Sequence, residues 1–247
     1  MKFGLHHASW LDNPDPAEAF EAAKAKAQWA EDHGFAWFSV MDHTIQTPNV
    51  GAPDEYKQYG WEFPPKPATR IRQMEEAIQF IVKMWTEPRT TFHGRYFHVE
   101  DAILEPKPVQ KPHPPVMIAG GGEQMTLRAV AQLADACNLV RCDVAEVRHK
   151  LTVLRGHCDA AGRDYDTIEK TYVQHWLLAR DDAAVAAMRA RMAVRESGGG
   201  FVGTVSEAID LIGRYQDAGV ELLIHSDRRN DVETRELFAS DVMPHFA

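Results

Sequence analysis

Apolar positions along this chain follow two rhythms that take turns. Residues 2–7 (Lys-Phe-Gly-Leu-His-His) open as a short extended stretch, and residues 35–41 are apolar almost throughout, as a strand covered on both faces requires. Between them Ala19, Phe20, Ala23, Ala27 and Ala30 share one helical face, with His33-Gly34 as the stop. Residues 44–68 then lose all periodicity and are rich in Pro, Gly and aromatics, an unusually long interruption for a compact domain. A helix is predicted over residues 69–85, with Ile71, Met74, Ile78, Ile81, Val82 and Trp85 on one side and Thr69 as its candidate cap. Residues 90–99 and 102–104 read as a small antiparallel excursion around His93-Gly94-Arg95, and a Pro-rich connector covers 105–115.

The second half is more regular. The apolar run of residues 115–119 enters Gly120-Gly121-Gly122, and Leu127, Val130, Ala131, Leu133 and Ala134 follow at helical spacing before residues 136–140, giving strand, glycine turn, helix and strand. Helices are expected near 144–161, 182–195, 207–218 and 234–242, and strands at 171–179 and 220–225. A second glycine-rich turn spans 197–204, where Thr204 or Ser206 would cap the next helix. Six core strands, near Lys2, Trp37, Val116, Ala136, Thr171 and Val220, thus alternate with helices. That is the pattern of a parallel α/β fold, closed as a barrel or spread as a doubly wound sheet.

Composition narrows the function. The 247 residues are 45% hydrophobic and 26% charged, which suits one globular domain. A net charge of -9 without any basic block argues against nucleic-acid partners. No stretch reaches the ~18 apolar residues of a membrane span, and no signal peptide is expected ahead of the first strand. Cys137, Cys142 and Cys158 lack a CxxC spacing and suit reduced thiols, so a cytoplasmic protein without membrane partners is expected.

Three places could carry chemistry. Glycines between a strand and a helix let backbone N–H groups approach an anion, although a tight turn without a ligand fits the same residues. Neither GxGxxG nor GxxxxGK[ST] is present. Asp42 and His43 stand at the carboxyl end of the second strand, where barrel enzymes place their reacting groups; a pair that merely ends the strand is the plain alternative. His6 and His7 end the first strand, and because neighbours on a strand point to opposite faces only one can meet a ligand. That adjacency, in place of a His-x-His pair, also counts against a metal-dependent barrel hydrolase using His175 and His225, and no metal is expected. No GxSxG elbow is present. The cluster Tyr56, Tyr59, Trp61 and Phe63 suits a hydrophobic plug or a substrate mouth.

Several fragments in combination resemble the luciferase-like monooxygenase superfamily of flavin- and F420-dependent (β/α)8 TIM-barrel proteins. They are Lys2-Phe3-Gly4-Leu5, Trp29-Ala30-Glu31-Asp32-His33-Gly34-Phe35, Phe38-Ser39-Val40-Met41-Asp42-His43 and Pro67-Ala68-Thr69-Arg70. Further along come Glu75-Glu76-Ala77-Ile78, Met84-Trp85, Phe92-His93-Gly94-Arg95-Tyr96 and the Pro-rich residues 106–115. The series ends with Gly120-Gly121-Gly122, Ala134-Asp135-Ala136-Cys137-Asn138 and Gly203-Thr204. Among subgroups the F420-dependent oxidoreductases are most similar.

The resemblance implies an oxidoreductase in which reduced F420, or FMN as second choice, exchanges hydride with a small organic substrate. It places His43 over the deazaflavin ring with Asp42 orienting it and His7 as a further contact. Gly120, Gly121, Gly122 and Thr126 would hold the phosphate, with Gly203 and Thr204 contributing. It also exposes a departure: two βα units, ~60 residues at ~30 per unit, are missing near residues 54–56. The expected fold is therefore a single barrel-derived domain over 1–247, shortened near 44–68 and incomplete, with about six core parallel strands. An open barrel, a partner chain that covers the gap or a rearranged chain would each accommodate that shortening, and a homodimer is expected. A non-catalytic barrel that has lost its flavin site is the alternative.

Overall fold

The computed structural model describes residues 1–7, 16–40, 64–192, 200–227 and 231–246. Asp42, His43 and the aromatic cluster Tyr56, Tyr59, Trp61 and Phe63 lie outside the described residues. The chain divides into two compact units, residues 1–58 with 139–148 and 170–247, and residues 59–138 with 149–169.

The elements follow the predicted alternation: β1 (Lys2–His7), α1 (Pro16–Asp32), β2 (Trp37–Val40), α2 (Pro67–Thr86), β3 (Thr90–His93), β4 (His98–Ala102), β5 (Met117–Ala119), α3 (Thr126–Leu133), β6 (Ala136–Val140) and α4 (Val144–Ala161). Then come β7 (Glu169–Gln174), β8 (Trp176–Ala179), α5 (Asp182–Met192), β9 (Phe201–Thr204), α6 (Val205–Asp217), β10 (Leu222–Asp227) and α7 (Val232–Leu237). Six strands form one sheet in the order β2-β1-β10-β7-β6-β5. The pairs β1·β2, β1·β10, β7·β10 and β5·β6 are parallel. Along this order each core strand neighbours the one before or after it in the chain, and the first pairs with the last. A barrel that has lost two successive units between β2 and β5 has this order, and the six core strands are those the sequence predicts.

Strict alternation divides the first unit's sheet into two faces. On one, Phe3 packs edge-on against Phe238 at 5.6 Å and His225 stacks on Phe238, so this face is covered by the C-terminal helical segment. On the other, Gly4 lies between Trp37 and Ile224, its register partners; a Cβ there would stand 3.1 Å from the Trp37 ring and 3.2 Å from Ile224. Glycine is what lets the indole cross β1.

In the second unit the ends of β5 and β6 are tied by Asp135. Its carboxylate accepts from the Val116 N–H at 2.8 Å, and its own N–H donates to the Val116 carbonyl at 2.8 Å. Helix α2 starts at Pro67 with Lys66 as its cap, and no side chain closes its first turn. Thr69 is therefore not the cap; proline, with fixed φ and no N–H to satisfy, opens the helix two residues earlier. Glu76 on α2 accepts from the backbone N–H groups of Arg95, Tyr96 and Phe97 and fastens the β3–β4 hairpin.

Two further expectations are corrected. Residues 171–179 are not one strand: β7 pairs with β10 as far as Gln174, and after His175 the chain leaves for a second small sheet in which β8 pairs with β9. Residues 201–204 accordingly form a strand rather than a glycine turn. Leu177, Ala179, Val185 and Met188 pack there as a separate apolar cluster, with Val202 against it. Thr204 closes the first turn of α6 in a capping box: its hydroxyl accepts from the Glu207 N–H, and the Glu207 carboxylate accepts from the Thr204 N–H at 2.8 Å. Thr204→Ala is expected to lower the unfolding free energy by about 1 kcal/mol, read as a shift in the urea midpoint at unchanged slope.

Candidate functional site

In the first unit the carboxyl ends of β1, β2 and β10 bring together two sets of side chains, one on each face. His7 lies in register with Asp227 and Val40, and His6 with Ser226 and Ser39. His7 is 6% exposed, with Nδ1 3.0 Å from the Lys26 ammonium of α1. Lys26 also donates to Asp227 at 3.0 Å, and Arg235 of α7 donates to the same carboxylate oxygen at 2.8 Å. Asp227 is 1% exposed. Burial alone would raise its pKa, but the two cations outweigh it and hold the carboxyl below the usual range. Burial first and the Lys26 charge second push the His7 imidazole down to about 4. His7 is thus a neutral ring built into the helix-covered face.

His6 takes the opposite face. Its Nδ1 lies 2.7 Å from the Ser39 hydroxyl, and the ring is half-buried. His225, two residues before Asp227, is on the helix-covered face and fully enclosed. Among the described residues both its nitrogens are buried without a hydrogen-bond partner, and burial lowers its pKa to about 3. His175 points Nδ1 at the Ser226 carbonyl at 2.8 Å.

The second unit contains the glycine turn. Gly120 adopts φ +122°, a conformation open to glycine, and its N–H donates to the Asn138 carbonyl at 2.9 Å. A Cβ on Gly122 would stand 2.8 Å from the Thr126 hydroxyl, so the bare Cα is what lets that hydroxyl reach the turn. The residue capping α3 is Met125, which supplies no side-chain hydrogen bond. Glu123, the acidic residue inside the turn, is drawn to α4. Its carboxylate takes Lys150 at 2.5 Å and His149 at 3.1 Å, and its carbonyl meets His157 at 2.7 Å. The bond from Lys150 holds that carboxyl below its ordinary range.

The two glycine-rich turns therefore differ. The one before α6 is closed by its own chain, since Thr204 and Glu207 satisfy each other and a Cβ on Gly203 would meet the Glu207 carboxylate at 2.6 Å. The one before α3 has no side-chain cap and carries a hydroxyl. A phosphate fits the second arrangement, while Gly203 and Thr204 already serve the capping box. Among the described residues no three His, Cys, Asp or Glu side chains are gathered for a metal ion, and no helix is long and apolar enough to cross a membrane.

A profile of the luciferase-like monooxygenase family matches residues 49–236, more than half of the chain. The chain belongs to the luciferase-like monooxygenase family. Among its relatives, an F420-dependent glucose-6-phosphate dehydrogenase of Microbacterium testaceum is 24% identical over 216 residues, covering 75% of this chain and 63% of the relative. An FMNH2-dependent dimethylsulfone monooxygenase of Pseudomonas putida is 33% identical over 66 residues, covering 27% of this chain and 18% of the relative. The chain thus spans less than two thirds of the length of these curated relatives. Solved structures of the same fold include a monooxygenase of Streptomyces bottropensis, TM-score 0.77 at 17% identity with both chains fully covered. An F420-dependent tetrahydromethanopterin reductase of Methanopyrus kandleri has TM-score 0.75 at 15% identity, covering 100% of this chain and 99% of that one.

Sequence reasoning took His7 as the ligand contact of the first strand and missed the charges beneath it. A signal for these exists: Lys26 falls between Ala23 and Ala30 on the apolar face of α1, where a lysine must find a buried anion. The buried neutral histidines also set a pH dependence. His7 and His225 have folded-state pKa values below the ordinary 6.5, so as pH falls the unfolded chain takes up their protons first. Their contribution is complete above about pH 6.5 and declines below it, by up to ~1.4 kcal/mol per pH unit for each ring, until the folded-state values are reached. Urea unfolding between pH 7 and pH 5 is expected to show this slope, and His225→Leu to reduce it by the share of one proton.

Proposed function

We propose that this chain is an oxidoreductase that binds F420, with FMN as second choice, and exchanges hydride between that cofactor and a small organic substrate. The observation that carries the reading is the glycine turn before α3. Gly120, Gly121, Gly122 and the Thr126 hydroxyl suit a cofactor phosphate, at a helix start whose cap residue, Met125, makes no side-chain hydrogen bond. F420 stands first because the relative with that cofactor aligns over 75% of the chain, against 27% for the FMNH2-dependent one. The bound cofactor would supply the hydride chemistry, and the protein's part is to hold and orient it. His43, oriented by Asp42, remains the proposed acid–base group by family resemblance, and a homodimer the proposed assembly.

The second reading, a shortened barrel that no longer binds a flavin, is favoured by the absence of two units from the strand order. Titrating the purified protein with F420 and with FMN, followed by quenching of cofactor fluorescence, separates the two. Saturable binding of either supports the enzyme, and binding of neither establishes the remnant. Gly120→Ala, which forces a side chain into φ +122°, is expected to weaken binding at least tenfold. Unchanged affinity in a variant with a native circular dichroism spectrum would remove the turn from the site.

A further inference from the structure

The β3–β4 hairpin carries a pair of histidines that the functional reading does not use. His93 and His98 are register partners of the two antiparallel strands, so both side chains leave the same face. Alternation turns the neighbouring Phe92 the other way, onto Phe80 of α2 at 5.7 Å, and Phe97 stacks on the same ring at 5.9 Å. The apolar side of the hairpin is thus packed on the helix, while both histidines are exposed. Glu76 holds the turn by accepting from the N–H groups of Arg95, Tyr96 and Phe97, and a Cβ on Gly94 would collide with that carboxylate. The two imidazoles are therefore mounted on a fixed backbone.

His93 Nδ1 lies 2.7 Å from His98 Nε2 with the rings at 87°, so they meet nitrogen to nitrogen rather than face to face. One nitrogen donates and the other accepts, which means that two lone pairs converge on a single proton. A metal ion can take the place of that proton. Imidazole nitrogens bind at ~2.0–2.1 Å, and two of them on one ion stand about 3.0–3.4 Å apart, an opening that exposed side chains reach by small rotations. The other nitrogen of His93 is turned to a carboxylate, with Nε2 3.8 Å from Glu100. A carboxylate on that side draws the ring proton to Nε2 and leaves Nδ1 with its lone pair, the arrangement in which protein imidazoles bind metals. Water completes the shell, since both rings are open to solvent. Two imidazole nitrogens select late transition-metal ions over Mg2+ and Ca2+, which take oxygen ligands.

We propose that His93 and His98 form a two-imidazole site for a divalent late transition-metal cation of the zinc, nickel and copper class, with Glu100 as the positioning residue that orients His93. The site shares no residue with the glycine turn and does not depend on the functional reading. Calorimetric titration of the untagged full chain with Zn2+, Ni2+ and Cu2+ is expected to show one saturable equivalent, tightest for Cu2+, and none with Mg2+ at the same concentrations. His93→Gln and His98→Gln, both at exposed positions, are each expected to weaken that equivalent at least tenfold, since one imidazole is left. In protein labelled with 15N at histidine, paramagnetic Ni2+ is expected to broaden the signals of His93 and His98, identified by their loss in the two variants, before those of His149 and His157. Glu100→Gln is expected to shift the His93 tautomer toward Nδ1–H and to weaken the metal less than either histidine change. Absence of a saturable equivalent, affinities within about twofold of wild type in both histidine variants, or earlier broadening at another histidine overturns the site. An unchanged His93 tautomer in Glu100→Gln removes Glu100 from it. Should one histidine variant not fold, the other and the Ni2+ titration of the wild type still decide.

Discussion

The six-residue parallel register between β1 and β10 is the constraint on which the first unit rests. Each strand alternates, so fixing one pair of partners fixes the face of every side chain on both, and a slip by one residue would exchange the faces entirely. In the observed register Phe3, Leu5 and His7 join Leu223, His225 and Asp227 on the side the helices cover. Gly4 and His6 join Ile224 and Ser226 on the other. A slipped register would carry the Asp227 carboxylate away from His7 and from Lys26.

The buried charges reinforce this choice. Asp227 is the last residue of β10 and faces two cations from two different helices, Lys26 of α1 and Arg235 of α7. Removing one partner from such a buried group typically costs about 3–5 kcal/mol, because the charge left behind has lost its water. The cluster is therefore a poor source of net stability, and a placement of the strands that separates Asp227 from Lys26 and Arg235 is penalised by a buried, unpaired charge. It also explains why His7 is kept neutral: a third positive charge beside Lys26 and Arg235 would face one carboxylate in a site without solvent.

Much of this was legible in the sequence, and the failures have identifiable causes. Long amphipathic segments and glycine stops located α1, α4 and α6, and the apolar runs located the six core strands. The cap of α6 was legible as far as a choice between Thr204 and Ser206; the reciprocal bonds with Glu207 place it at Thr204. The break in residues 171–179 was not. Trp176, Leu177, Leu178 and Ala179 continue the apolar run of β7, and only the partners, β10 before His175 and β9 after it, show that the chain changes sheets. Alternation could say that His6 and His7 part company but not which one meets the helices, because that depends on Lys26, a residue nineteen positions away in the chain. The two glycine turns are alike as strings and differ in the residues at the helix starts beyond them: a threonine–glutamate box closes one, and a methionine leaves the other without a side-chain cap.

The missing units bear unequally on these features. Among the described residues β2 and β5 are the terminal members of the strand order, each with one neighbour, whereas β1 and β10 are internal and retain both. The β1·β10 register that sets the faces of His6, His7, Asp227 and Ser226 is an internal pairing. Ser39 depends on β2, which keeps four registered pairs with β1 but has no second partner among the described residues. Terminal strands of four and three residues offer few unpaired N–H and C=O groups, and brevity is one way a sheet limits edge-to-edge association. The shortening thus removes neighbours from the outer side of β2 while leaving the register at the first and last strands whole. That is why a barrel-derived sheet of six can keep an ordered polar rim at its carboxyl end.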